Sequence, residues 1–259
     1  MEQCKNCEAS LEGPYCSQCG QKALTERITL KYILRSIVET LTNVEAGFWY
    51  TMRALLTRPG IVAREYLEGK RRLYYHPIRY LFILVTIATV ITLATGVYDL
   101  QQSEILQLQN DAIGLEPNEK AVANQQKVQE EVKKYLNLVS LLTLPFFSLV
   151  GFWLFRKRAY NYAEHLVIVS FWSAELAAIG LPVQLLFLFF PGAIMYALPL
   201  TMLISSGYYG WGYRQLFQIG YGQAFFKGGL VNVLGFILMF ITIMILTALS
   251  VMIFVAIFK

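Results

Sequence analysis

The chain of 259 residues carries 22 lysines and arginines against 17 acidic residues, which gives a net charge of +5. Charged residues make up only 15% and hydrophobic residues 56%, whereas soluble domains average about 25% and about 45–50%. This composition excludes an ordinary soluble domain and indicates membrane spans. The surplus of bases is typical of cytoplasmic loops, and it is too scattered to predict nucleic-acid binding.

The first segment, residues 1–24, contains all four cysteines as two C-x-x-C pairs. Each pair places two thiolates on one tight turn, and two such turns supply the four tetrahedral sulfur ligands that Zn²⁺ prefers. We therefore predict a zinc-ribbon-like module with a structural zinc ion held by Cys4, Cys7, Cys16 and Cys19. A redox dithiol is disfavoured because no βαβ pattern surrounds the pairs. A closed site of this kind leaves no coordination position for a substrate, so it predicts no catalysis.

Residues 25–77 are predicted to form amphipathic helices on the cytoplasmic side or in the membrane interface. Apolar residues recur every three or four positions from Ile33 to Leu55, a pattern typical of one helical face. Pro59 ends this pattern because proline disfavours helical geometry in the residue before it. A second short helix follows from Ile61 to Leu67. These helices either lie in the membrane interface or form a small soluble hairpin against the cysteine module.

Five apolar segments are predicted to cross a membrane, because about 20 residues at about 1.5 Å each cover a hydrocarbon core of about 30 Å. They are residues 78–97, 136–155, 166–190, 193–211 and 229–258. The fourth segment is interrupted by Pro199 and Gly207, so a re-entrant hairpin with the third segment is the alternative. The predicted fold class is an all-α integral membrane protein with five spans, the small N-terminal module and amphipathic juxtamembrane helices.

Basic residues predict the orientation, because cytoplasmic loops carry an excess of lysine and arginine. With five spans, all three basic clusters fall on one side, which makes the N-terminus cytoplasmic and predicts a multi-pass protein of the cytoplasmic (inner) membrane. The loop 98–135 then lies outside, with a helix from Glu119 to Tyr135 that extends the second span. The bases before the first span either anchor the chain by this rule alone or also bind anionic lipid head groups. The candidate head-group contacts are Lys70, Arg71, Arg72 and Arg79.

Glu175 lies about ten residues into the third span, or about 15 Å deep. A carboxylate at such a depth usually faces a partner or a water-filled cavity. The alternatives are proton or cation translocation, coordination of a polar substrate, or a hydrogen bond between helices to Gln184, Asn232 or a tyrosine. The candidate intramembrane polar site comprises Glu175, Gln184, Glu164 and His165.

Three motifs resemble one known family. They are the cysteine pattern ending in C-G-Q at Gln21, the stretch from Arg58 to Leu81 that contains RPG and REYLEGKRR, and the Y-x-E-H sequence from Tyr162 to His165. The family is the uncharacterised bacterial membrane group catalogued as domain of unknown function 3667. The resemblance implies a bacterial cytoplasmic membrane protein with a zinc-ribbon-like head, and it implies no activity.

No nucleophile with a base, phosphate loop or helical H-E-x-x-H pair occurs in the sequence, so no enzyme is predicted. We expect a binding or regulatory platform that is anchored in the lipid bilayer and holds a cytoplasmic protein partner through the zinc module. The alternative is a transporter or channel-like protein that uses Glu175.

Overall fold

The computed structural model describes residues 3–23, 29–30, 47–113, 119–158 and 160–257. These residues are helical apart from turns and two isolated β-bridges in the N-terminal module, which confirms the all-α class for this part of the chain. One further element is a 3₁₀ helix, Pro191–Tyr196. The amphipathic pattern over residues 33–46 falls outside the described residues. The helices are α1 Phe48–Thr57, α2 Pro59–Glu68, α3 Pro77–Ala94, α4 Val97–Ile113, α5 Glu119–Lys134, α6 Leu136–Leu154, α7 Tyr162–Leu186, α8 Ala197–Phe217 and α9 Tyr221–Ile257.

Within the described part of the chain, four helices are long and apolar enough to cross a membrane: α3, α6, α7 and the Tyr221–Leu249 part of α9. Large apolar side chains on their outer faces are exposed, as a lipid-facing surface requires. Examples are Phe82, Leu142 and Met244. Helix α8 has 21 residues, but glycines and Arg214 make its second half less apolar. The predicted fourth span, residues 193–211, therefore stays a prediction.

Helices α1 and α2 form a hairpin that packs against α7 and α8. The chain breaks at Arg58 because Pro59 occupies the first position of α2, and Gly69 ends α2 with a φ of 117° that glycine adopts without steric cost. Leu55 and Val62 are fully buried in the main core. The sequence-based alternatives did not include this burial against the spans.

Two hydrogen bonds and one close contact fix the hairpin. The Trp172 indole N–H donates to the carbonyl oxygen of Pro59 over 3.1 Å, and the Tyr208 hydroxyl donates to that of Leu55 over 3.1 Å. Gly60 lies against the backbone of α8 so closely that a Cβ there would overlap the carbonyl oxygen of Gly212. The hairpin is therefore an integral part of the helical core.

The loop between α3 and α6 contains one more helix than the sequence predicted. Gly96, with a φ of 74°, turns the chain from α3 into α4, and Lys133 on α5 forms an ion pair of 2.6 Å with Asp99 on α4. Tyr135 is not helical and separates α5 from α6. The predicted helix from Glu119 therefore forms, but a break divides it from the span.

Helix α8 runs antiparallel to α7 along almost its full length. Ala197 at its start shares a small apolar cluster with Phe187, just past the end of α7. The Tyr209 and Ser173 hydroxyls are hydrogen-bonded at 3.1 Å. At its other end, the Phe217 ring lies 6.4 Å from the ring of His165, near the start of α7.

Candidate metal centre and buried polar groups

The four cysteines of the N-terminal module lie close together. Their Sγ atoms are all within 4.8 Å of one another, and the distances Cys4–Cys19 and Cys7–Cys16 are 3.5 and 3.6 Å. A tetrahedral ion with metal–sulfur bonds of about 2.3 Å requires sulfur–sulfur distances of about 3.8 Å. The donor set therefore fits a metal ion of that geometry.

The two halves of the module are the same turn used twice. The Glu8 N–H donates to the Cys4 carbonyl and the Gly20 N–H donates to the Cys16 carbonyl, each over 2.8 Å. Glu8 and Gly20 both adopt left-handed conformations, with φ of 63° and 69°. The sequence indicated this turn only at Gly20, because glutamate rarely adopts positive φ.

The backbone and the crowded sulfurs set the acidity of the thiols. A backbone hydrogen bond from Cys19 lowers the pKa of Cys16 to about 7, although burial raises it. Despite a backbone hydrogen bond from Ala9, burial and the neighbouring sulfurs raise the pKa of Cys7 to about 12. Near neutral pH the cluster is therefore only partly ionised, and metal binding would have to release protons from it.

Gln21 attaches the cysteine module to the end of the helical hairpin. Its side-chain amide donates to the carbonyl oxygen of Gly69 over 2.5 Å and accepts from the backbone N–H of Arg72 over 3.3 Å. Gln21 is buried. In the sequence, Gln21 is only the last residue of the C-G-Q motif, and its role was not predictable because its partners lie 48 and 51 positions away.

The four candidate head-group contacts are Lys70, Arg71, Arg72 and Arg79. Lys70 lies 3.1 Å from the Glu65 carboxylate, and the Arg71 guanidinium lies 6.0 Å from the centre of the Tyr66 ring. Arg72 is exposed, whereas the other three are half-buried. Among these four, Arg72 has the most open approach for a lipid phosphate.

Glu175 is fully buried between α7 and α3. The Tyr80 hydroxyl on α3 donates to one of its carboxylate oxygens, and the other oxygen has no partner within the described residues. A hydrogen bond between helices to a tyrosine was one of the alternatives for Glu175, and the structure contains such a bond. Tyr80 itself carried no signal in the sequence beyond its place at the start of a span.

The other three candidate polar residues lie at different levels of α7. Glu164 forms a capping box with Asn161, in which the Glu164 N–H donates to the Asn161 side chain over 2.9 Å and the carboxylate accepts in return over 2.6 Å. His165 is fully buried beside Phe152, and its ring nitrogens have no hydrogen-bond partner in the described part of the chain. Gln184, about 30 Å further along the helix than Glu164, accepts from Thr92 over 2.9 Å. The structure does not bring these residues together with Glu175.

One comparison with known proteins found a match, and it includes the hairpin of α1 and α2. Residues 45–89 match the model of a family described as a protein of unknown function, DUF3667. This match supports the predicted family assignment for that segment of the chain. No curated protein and no solved structure matches the chain.

The DUF3667 match covers the hairpin of α1 and α2, the basic turn after it and the first two thirds of α3. It therefore includes Gly69 and Arg72, which hold the cysteine module, and Tyr80, which holds Glu175. The matched segment is the part of the fold that connects the candidate metal centre to the spans.

Proposed function

We propose that the chain is a membrane-anchored binding platform that presents a zinc-bound cysteine module to a cytoplasmic protein partner. The observation that carries this proposal is the attachment of the module through Gln21 to the hairpin of α1 and α2. That hairpin in turn hydrogen-bonds α7 and α8 through Trp172 and Tyr208. A partner that binds the module is thereby connected to the spans through a continuous set of packed contacts.

Zinc is the proposed occupant because four thiolates in tetrahedral arrangement are typical of structural zinc or of iron–sulfur sites. We expect about one zinc ion per chain in the purified full-length protein, and loss of that zinc in Cys16→Ser. Metal analysis by mass spectrometry measures this. Iron with sulfide, or no metal in protein purified without chelators, would contradict the zinc assignment.

We also propose that α8 crosses the membrane as the fourth of five spans in chain order, and that the N-terminus is cytoplasmic. Support comes from the antiparallel packing of α8 along α7, from Phe187 to His165, a length of about 33 Å. Reporter fusions at the C-terminus test this, because green fluorescent protein matures in the cytoplasm and alkaline phosphatase outside it. Five spans predict phosphatase activity, and fluorescence would indicate an even number of spans.

Exposed side chains of the module are available to a partner. Tyr15 is 62% exposed, and Glu8 and Glu12 are also exposed. We expect full-length protein in lipid nanodiscs to retain a defined cytoplasmic protein, and Cys16→Ser to lose it because the module needs its metal to fold. Ser17→Ala is the matched control, since Ser17 is an exposed neighbour in the same turn. Equal retention by Cys16→Ser and the wild type would overturn the proposal.

Transport that uses Glu175 is the second proposal, and the unpartnered carboxylate oxygen within a span favours it. Proton flux into liposomes should then fall in Glu175→Gln, while Glu104→Gln, at a half-buried residue of α4 outside the proposed spans, serves as the control. Wild-type flux in Glu175→Gln would remove this residue from any translocation path.

A further inference from the structure

A cavity of about 510 Å³, open on one side, lies between α3, α4, α6, α7, α8 and α9. Along α7 its lining extends from Ser173 to Gln184, a distance of about 16 Å. The cysteine module contacts the opposite end of the bundle, before the start of α3. Under the proposed orientation, the cavity therefore occupies the half of the membrane away from the cytoplasm.

The lining combines apolar side chains with neutral hydrogen-bonding groups. Among the described residues that line it, none is aspartate, glutamate, lysine, arginine or histidine. Glu175 faces Tyr80 and is not among the lining residues. The hydroxyl and amide groups include Thr89, Thr92, Ser140, Thr143, Gln184 and Asn232.

This combination of groups favours an uncharged ligand over an ionised one. An ionised group placed in a low-dielectric site without a countercharge carries a large desolvation cost, and the described lining offers no countercharge. Ser140, Thr143 and Asn232 already donate to backbone carbonyl oxygens, whereas the amide nitrogen of Gln184 has no protein partner within the described residues. A purely apolar occupant would leave that amide unpaired, at a cost of about 1–3 kcal/mol, so a neutral, largely apolar molecule with an oxygen for the Gln184 amide fits the lining better.

The volume of the cavity indicates the size of such a molecule, and the polar group at its rim indicates how the molecule would be oriented. Cavities of about 300–1,000 Å³ are typical of sites for small organic ligands. At the rim, near the ends of α3 and α7, Gln184 accepts from Thr92, while the amide nitrogen of Gln184 has no protein partner within the described residues. A polar head group at Gln184 would lie at the membrane boundary, with its chains directed toward Ser173.

We propose that this cavity binds an uncharged lipid with a hydroxyl head group, of the diacylglycerol class, with the hydroxyl at Gln184. The probe pair is dioctanoylglycerol and dioctanoyl phosphatidic acid, which carry the same chains and differ only by a phosphate. Thermal stability of the full-length protein in detergent, titrated with each lipid, measures binding. We expect the neutral lipid to raise the melting temperature in a saturable way and the phosphate lipid to have at least tenfold lower affinity.

Two variants test the location. Gly180 lines the cavity, and a Cβ there would meet no atom within 4 Å, so Gly180→Leu fills the cavity without strain and should lower the affinity for dioctanoylglycerol at least tenfold. Gly207→Leu is the control, because Gly207 is also a helical glycine with open space around its Cβ but does not line the cavity.

Gln184→Leu separates the head-group contact from the volume of the cavity. We expect this variant to lower the affinity for the hydroxyl lipid about tenfold, measured from its own melting temperature without lipid, because loss of the hydrogen bond from Thr92 also lowers that temperature. Equal binding of the two lipids by the wild type, or wild-type affinity in Gly180→Leu and Gln184→Leu, would overturn the proposal. These outcomes are independent of the cysteine module and its partner.

Discussion

The contact between α8 and α9 offers a test with two adjacent glycines. A Cβ on Gly228 would lie 2.5 Å from the backbone nitrogen and 2.8 Å from the Cα of Gly210, whereas a Cβ on Gly229 would meet only the Ser206 hydroxyl, at 4.0 Å. Small residues allow such close approach between helices in membranes. Gly228→Ala and Gly229→Ala make the same chemical change at two neighbouring positions of one helix.

The two substitutions should have opposite effects. Overpacking a tight contact costs about 1–3 kcal/mol, and removing an interior helical glycine gains up to about 1 kcal/mol. The obstructing atoms at Gly228 are backbone atoms that cannot rotate away. We therefore expect Gly228→Ala to lose about 1–2 kcal/mol net and Gly229→Ala to gain a fraction of 1 kcal/mol.

Thermal unfolding in detergent, followed by tryptophan fluorescence, measures this difference. A change of 1 kcal/mol shifts the melting temperature by about 2–4 °C in chains of 150–250 residues, so Gly228→Ala should melt about 2–8 °C below the wild type. If Gly228→Ala melts at or above Gly229→Ala, the close packing of α8 on α9 is refuted.

Three further predictions concern hydrogen bonds. Tyr80→Phe should cost about 1–3 kcal/mol because it leaves the Glu175 carboxyl buried without its donor; adding Glu175→Leu should recover part of this loss, and additive losses would contradict the pairing. Burial raises the pKa of Glu65, but hydrogen bonds from Tyr74 and Lys70 lower it below its usual value. The stabilisation from this lowered pKa is present above about pH 4.3, the ordinary value for glutamate, and is lost as the pH falls through the folded value. Tyr74→Phe should therefore weaken the acid dependence of the melting temperature, and an unchanged dependence would argue against the contact. Gln21→Ala should lower the protection of the backbone amide of Arg72 in hydrogen exchange while zinc content stays unchanged, and unchanged protection would show that Gln21 does not hold the module.

Local patterns account for the parts of the structure that the sequence predicted. The C-x-x-C spacing brings two sulfurs together within one turn whatever the rest of the chain does. The break at Pro59 and the end of α2 at Gly69 follow from the backbone preferences of proline and glycine. The Asn161–Glu164 capping box was readable in the same way, but the sequence interpretation took Glu164 only as a candidate polar site and gave Asn161 no role.

Amphipathicity was a less reliable guide for the hairpin. Its apolar face indicates that it must be buried, but lipid, the cysteine module and the spans can all bury such a face. The structure buries Leu55 and Val62 against α7 and α8. The composition of the hairpin alone does not distinguish among these three environments.

By itself, the sequence determined the apolar composition of the candidate spans, the clustering of the cysteines and the resemblance to the family over residues 45–89, because each depends on residues that are near one another along the chain. Only the tertiary structure decided the partner of Glu175, the docking of the hairpin and the neutral cavity. The hydrogen bond from Tyr80 to Glu175 joins positions 95 residues apart, and that from Tyr208 to Leu55 joins positions 153 apart. Contacts of this kind depend on how helices pack side by side, and helix packing is set by the shapes of whole surfaces.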